Sequence, residues 1–319
     1  MLPRFRRRRV TPLALFGWLL APLWAAGCQA QEAAVAPVVG QLPEDAGEHW
    51  VRLVEKKGQA DPIAMETALI RYVPRADFDA DRPVGDYERF VDLVGAVHIA
   101  DRSYYDELNK RFRGYDAVLY ELVAPEGTVV PKGRGTSNSH PLGAMQNMMK
   151  SALELEHQLE QVDYTARNFV HADMSPEQFM QSMADRNDNF LKMYLRMVGA
   201  SMAQQSQNQT TGESPEMDLI MAFMSDDRPR RLKIAMAKQF EGMESLLTGF
   251  SGPEGSTIIT ERNKAALAVL REQLDEGTGK LAVFYGAGHL SDMHQRLIDE
   301  FDMQPIAQEW LQAWDLRAK

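Results

Sequence analysis

The stretch FVDLVGAVHIADRSYYDELNKRFRGYDAVLYEL, residues 90–122, decides the fold class. Its apolar opening, Phe90–Val97, reads as a strand, and Ala117–Leu122 reads the same way. Between them Tyr105, Leu108 and Phe112 recur at helical spacing within Arg102–Arg113. Strand, helix, strand is a βαβ unit, which predicts parallel neighbouring strands. Outward from it, Glu66–Val73 and Leu281–Tyr285 read as strands. Thr257–Gln273 is an amphipathic helix that stops at Glu276-Gly277. A further helix near Leu290–Phe301 and a last strand near Pro305–Trp310 repeat the theme. The expected fold is α/β: a central, largely parallel or mixed sheet flanked by helices.

The middle, Pro141–Phe250, carries almost no strand signal and holds 14 of the 18 methionines. It reads as a Met-rich, all-helical insertion with helices over Leu142–Gln161, Pro176–Ala203 and Glu216–Leu247. A polar break separates the last two at Gln204–Ser214, and Ser175 caps the second. Met at helical spacing reads as core filler, with a substrate groove as the alternative. The Gly- and Pro-rich run Ala124–Ser139 reads as a loop or a lid.

At the N-terminus Arg4, Arg6, Arg7, Arg8 and Arg9 precede an apolar run, Leu13–Trp24, too short to span a bilayer. Ala25-Ala26-Gly27 then leads into Cys28, the layout of a lipoprotein signal over residues 1–27 with lipid on Cys28. An ordinary cleaved signal followed by a chance cysteine is the alternative. Residues 28–47 read as a flexible tether and 48–319 as the folded domain. Gln29 after the cysteine points to an exported, outer-membrane anchor facing the periplasm in a Gram-negative host. With one cysteine in the chain no internal disulfide forms. Removing the leader takes five of 35 basic residues and none of the 45 acidic ones, so the net charge deepens from −10 to −15. Such a surface repels nucleic acid and anionic headgroups, leaving the lipid as the membrane contact. Oligomeric state is not written in the sequence.

Two strand ends share one pattern: GAVH at 95–98 and GAGH at 286–289. In a parallel sheet the carboxyl ends of strands gather on one edge, where ligands bind. Gly95 and Gly286 there would let backbone approach a metal or substrate. Glu121 ends a strand at the same edge, and a carboxylate in an apolar run is unfavourable unless paired. Two imidazoles and a carboxylate are the donor set of an open divalent-metal site. The spacing equally allows His98 and His289 to hydrogen-bond within a core while Glu121 pairs with a Lys or Arg. Asp101 either orients His98 or begins the next helix. His171 and Asp173 are extra ligands, an acid/base pair, or turn residues. His49, His140, His157 and His294 read as exposed or loop histidines.

The ordered set GAVHIADRSYY (95–105), DAVLYEL (116–122), Glu261-Arg262-Asn263 and GAGHL (286–290) resembles the TraB/PrgY/GumN family and its Tiki relatives. That resemblance implies a metal-dependent protease or peptide-processing protein, with His98, Glu121 and His289 holding Mn²⁺, Co²⁺ or Zn²⁺. The implied substrates are small peptides or exposed protein segments, with a nearby carboxylate as general base. Arg262-Asn263 is similar to the family's Arg-Asn pair, which would set Arg262 on Glu121 or on a substrate carboxylate or oxyanion. A surface arginine is the other reading. Many relatives follow the strand-end Glu with an acidic residue and an Arg; here Val123-Ala124-Pro125-Glu126 stand instead. Two other classes remain open. One is a haem- or iron-binding lipoprotein similar to the ChaN type, using the Met-rich helices and Tyr120 or Tyr285. The other is a scaffold with a degenerate site.

Overall fold

The computed structural model of the protein describes residues 42–125, 127–133, 150–186, 215–251 and 255–318, all within one unit, Ala33–Lys319. The strands are β1 Val51–Val54, β2 Ala64–Pro74, β3 Phe90–Ala96, β4 Ile99–Ala100, β5 Ala117–Tyr120, β6 Glu156–His157, β7 Phe169–His171, β8 Lys280–Gly286 and β9 Met303–Asp315. Seven of them form one mixed sheet. β9 runs antiparallel along the whole of β2. The other edge of β2 takes β1 and then β3, both antiparallel. Beyond β3 come β8, β5 and β7, each parallel to the last. β4 and β6 make a separate antiparallel pair.

The helices are α1 Arg102–Phe112, α2 Gln158–Gln161, α3 Pro176–Asp185, α4 Pro215–Phe223, α5 Arg228–Ser251, α6 Arg262–Asp275 and α7 Ala287–Asp299. The chain is thus an α/β protein with a mixed, largely parallel sheet flanked by helices. Among the described residues no helix is long and apolar enough to cross a membrane.

Burial on both faces explains the strand sequences. β2 and β8 lie inside the sheet and read as near-continuous apolar runs, as parallel and central strands do. β3 is buried throughout, and its one charge, Asp92, sits opposite Arg71 on β2. The guanidinium grips the carboxylate with two bonds of 2.8 Å, and the Tyr115 hydroxyl adds a third at 2.6 Å. α1 turns Tyr104, Tyr105, Leu108 and Phe112 inward, and its two tyrosine hydroxyls donate to the carbonyls of Gly95 and Val97 at the end of β3. The helix therefore anchors the strand end that leads to His98.

Several expectations need correction. β3 and β5 are parallel but not neighbours, because β8 from far along the chain inserts between them. The insertion is not all-helical: β7 is an edge strand of the main sheet, and β6 pairs with β4. The expected helix over 142–161 lies outside the described residues in its first part, and its remainder is broken at Glu154, whose φ is 53°. The helix from Pro176 ends at Asp185 with Arg186 as its cap, and residues 187–214, with the rest of the expected helix and the polar break, lie outside the described residues. Glu216–Leu247 is two helices, interrupted between Phe223 and Arg228. Met180, Met217, Met221 and Met224 face outward rather than filling a core. The leader, Cys28 and the tether up to residue 41 lie outside the described residues. At residue 47 the chain meets the domain: Gly47 lies on the His294 ring, and its carbonyl takes the indole N–H of the fully buried Trp50.

Candidate functional site

Four parallel strands deliver their carboxyl ends to one edge of the sheet. β3 runs out toward His98, β5 into Glu121, β7 into Asp173, and β8 through Gly286 into the first turn of α7, which carries His289. Register keeps these ends level: Ala96 pairs with Gly286, and Tyr120 with both Phe284 and His171. α6 supplies the other wall. A single wide turn of π geometry, Thr257–Glu261, precedes it and is capped by the Ser256 hydroxyl on the Ile259 N–H. Its first two residues, Arg262 and Asn263, are both buried, which removes the surface-arginine reading.

Arg262 joins two carboxylates. Its Nε donates to Asp173 Oδ1 at 3.0 Å, and its Nη2 donates both to Asp173 Oδ2 and to Glu121 Oε1, the latter at 2.7 Å. The other Glu121 oxygen, Oε2, accepts the Gly286 N–H at 2.8 Å. A Cβ on residue 286 would stand 3.2 Å from that oxygen, so glycine is what lets the backbone reach it. Gly95 serves another purpose: a Cβ there would come within 3.0 Å of the Ala68 carbonyl on β2, so this glycine meets packing rather than a ligand. Burial raises the Glu121 carboxyl, but His289 once acid has protonated it, with Arg262, the Gly286 N–H and His98, outweighs that and brings its pKa to about 2. Burial alone would lower the Arg262 pKa; Asp173 and Glu121 reverse that and raise it.

Asn263 fixes the state of His289. Its Nδ2 donates to the His289 carbonyl at 2.9 Å and to Asp292 Oδ2 at 2.8 Å, which leaves Oδ1 as an acceptor 2.7 Å from His289 Nδ1. Nδ1 therefore carries the proton. Burial, helped by Arg262, pushes the His289 pKa down, so the ring is neutral at neutral pH. Tyr285 packs edge-on against it at 5.3 Å, its own hydroxyl donating to the Ala172 carbonyl. The Nε2 lone pair then faces Glu121 Oε1 across 3.7 Å.

Two acceptors that face each other in a buried site repel unless a cation or a donor lies between them. Imidazole nitrogen and carboxylate oxygen bind metals at about 2.0–2.2 Å, so one ion can serve both across this gap. Anchoring Nδ1–H on a carbonyl oxygen is also how proteins set a ligating histidine. Glu121 Oε1 already accepts one Arg262 N–H, so Glu121 and His289 would offer a divalent metal the remaining lone pair of that oxygen and the Nε2 lone pair. His98 is exposed, and its ring makes no hydrogen bond with the described residues; no group of three metal-binding side chains is gathered among them.

The remaining candidates separate. Asp173 belongs to the cluster through Arg262, whereas His171 donates its Nε2–H to the Leu122 carbonyl at 2.6 Å and is spent on backbone. Asp101 does not orient His98: it holds Lys233 Nζ at 2.8 Å and the Asp315 N–H. His157 is neither exposed nor in a loop. It is buried on β6, and its Nε2 lacks a partner among the described residues. Among the described residues the carboxylates of the cluster, Glu121, Asp173 and Asp292, are all engaged in hydrogen bonds. Tyr120 and Tyr285 are both buried, which gives the haem-binding reading no support. Of the lid-like loop, the described part is held down by buried Val130 and by the Gly133 N–H on the Glu160 carbonyl. Asp292, the second acceptor for Asn263, escaped the sequence reading, although its i,i+3 spacing from His289 on one helix was a signal for it. No family model, curated protein or solved structure matches the chain.

Proposed function

We propose that this protein is an exported, lipid-anchored hydrolase of the TraB/GumN type that cleaves peptide bonds with a divalent metal held by Glu121, His289 and His98. One observation carries the reading: a neutral His289, locked by Asn263, aims its Nε2 lone pair at an ionised Glu121. Arg262 holds Glu121 from one side and the Gly286 N–H from the other, so the carboxylate cannot swing away. His98 supplies the third donor by turning in from its exposed position beyond β3. Bound there, such an ion supplies Lewis acidity toward a peptide carbonyl and lowers the pKa of water. Mn²⁺, Co²⁺ and Zn²⁺ all suit imidazole and carboxylate donors.

Arg262 has a second task. Its Nη1 makes no hydrogen bond with the described residues, so it has donors to offer a developing oxyanion or a substrate carboxylate. A metal analysis of purified protein, alongside a His98→Ala/His289→Ala double variant, tests the assignment. The expected outcome is loss of bound metal and of peptidase activity together. Full metal occupancy and activity in the double variant would sink it.

A further inference from the structure

We infer that Gln158 is the positioning residue for His98: its Oε1 receives the ring N–H of His98 when that histidine turns toward Glu121 and His289. The inference rests on the metal-site reading above.

The β4–β6 ladder sets the geometry. Ile99 pairs with His157 and Ala100 with Glu156, and the Gln158 N–H donates to the His98 carbonyl at 2.9 Å. Gln158 opens α2, so it meets His98 through that backbone bond at the end of the ladder rather than as a further ladder pair. The Gln158 side chain is already fixed at one end, Nε2 donating to the Tyr164 hydroxyl at 2.8 Å. Tyr164 packs on Tyr120, the residue before Glu121, with ring centroids 5.0 Å apart, so this chain of groups leads toward the site. The other end, Oε1, is buried and has no partner among the described residues, in a residue only 7% exposed.

A buried acceptor left unpaired is unfavourable, and native structures retain few of them. The oxygen is shielded from solvent, and the inference is that the His98 ring, carried by the residue whose carbonyl takes the Gln158 N–H, meets it by rotating about its side-chain bonds. Two neighbouring candidates are set aside. Asp101 is committed to Lys233 and Asp315. His157 also has an unpaired nitrogen, but it pairs with Ile99, and successive strand residues face opposite ways. Gln158 would thus do for His98 what Asn263 does for His289.

The test is a Co²⁺ titration of the full chain after chelator stripping, read by visible absorption and by chelator competition. Gln158→Leu is expected to weaken Co²⁺ binding about 10–100-fold. Gln158→Glu retains an acceptor and should stay within about threefold of the parent chain. In a His98→Ala background Gln158→Leu should change binding by less than about twofold, because the residue acts through His98. Parent-like binding by Gln158→Leu, or an equal loss in both backgrounds, overturns the inference and leaves the metal reading standing. A parent chain that takes up no Co²⁺ overturns both.

Discussion

Replacing Arg262 by Met should unlatch the site in a measurable way. Among the described residues the guanidinium is the only side-chain donor to Asp173, whose side chain is fully buried; without it that carboxylate keeps the Met174 N–H at 2.8 Å and nothing else among them. Glu121 loses one bond of 2.7 Å but keeps the Gly286 N–H, and its side chain is 16% exposed, so water compensates in part. Most of the loss therefore falls on Asp173. Breaking a buried pair from one side destabilises by about 3–5 kcal/mol, a large share of the roughly 5–15 kcal/mol that holds a domain together. Urea unfolding at pH 7 with chelator present isolates this from any metal effect. Arg262→Met/Asp173→Asn should recover at least half of the loss, because the fully buried Asp173 charge is then gone. A loss under about 1 kcal/mol, or a double variant no better than the single, would refute the reasoning.

Acid should weaken the metal-free fold in two steps of the same sign. His289 is depressed by burial, so its contribution is complete above the ordinary 6.5 and is lost as the pH falls below it. Glu121, moved from 4.5 to about 2, contributes fully above 4.5 and loses its share as the pH falls through 2. At 1.36 kcal/mol per pKa unit that share is about 3 kcal/mol. Urea titrations at several pH values check it: Glu121→Gln should flatten the dependence between 4.5 and 2, and an unchanged slope would contradict the assignment. Gly286→Ala places a methyl against Glu121 Oε2 without backbone strain, because φ there is −49°. Misplacing a site carboxylate costs up to about 10²-fold in activity, so peptidase turnover should fall far more than stability; a variant with parent-like turnover would show that the carboxylate's position is unimportant.

How much of this was legible in the sequence follows from what local patterns encode. The strand ends carrying His98, Glu121 and His289 were visible because apolar runs that end in Gly or a lone Glu are local signals. The position of β8 between β3 and β5 was not, since strand order is set by contacts between residues almost 200 apart in the chain. β7 is three residues long and sits in a helix-rich stretch, too short to raise a period-2 signal against its neighbours. The Asn263–His289 and Arg262–Asp173 contacts join segments 26 and 89 residues apart, and no periodicity links them. His157 and Gln158 were misread or passed over because polar residues in a short strand and one-turn helix look exposed in sequence, while the fold closes over them.

The most direct test of the central claim is anomalous X-ray scattering from crystals of the protein soaked in Co²⁺ or Zn²⁺. The account predicts a single strong peak between Glu121 and His289, with His98 turned in to meet it. No peak there, or one elsewhere with His289 Nε2 still bare, would contradict it.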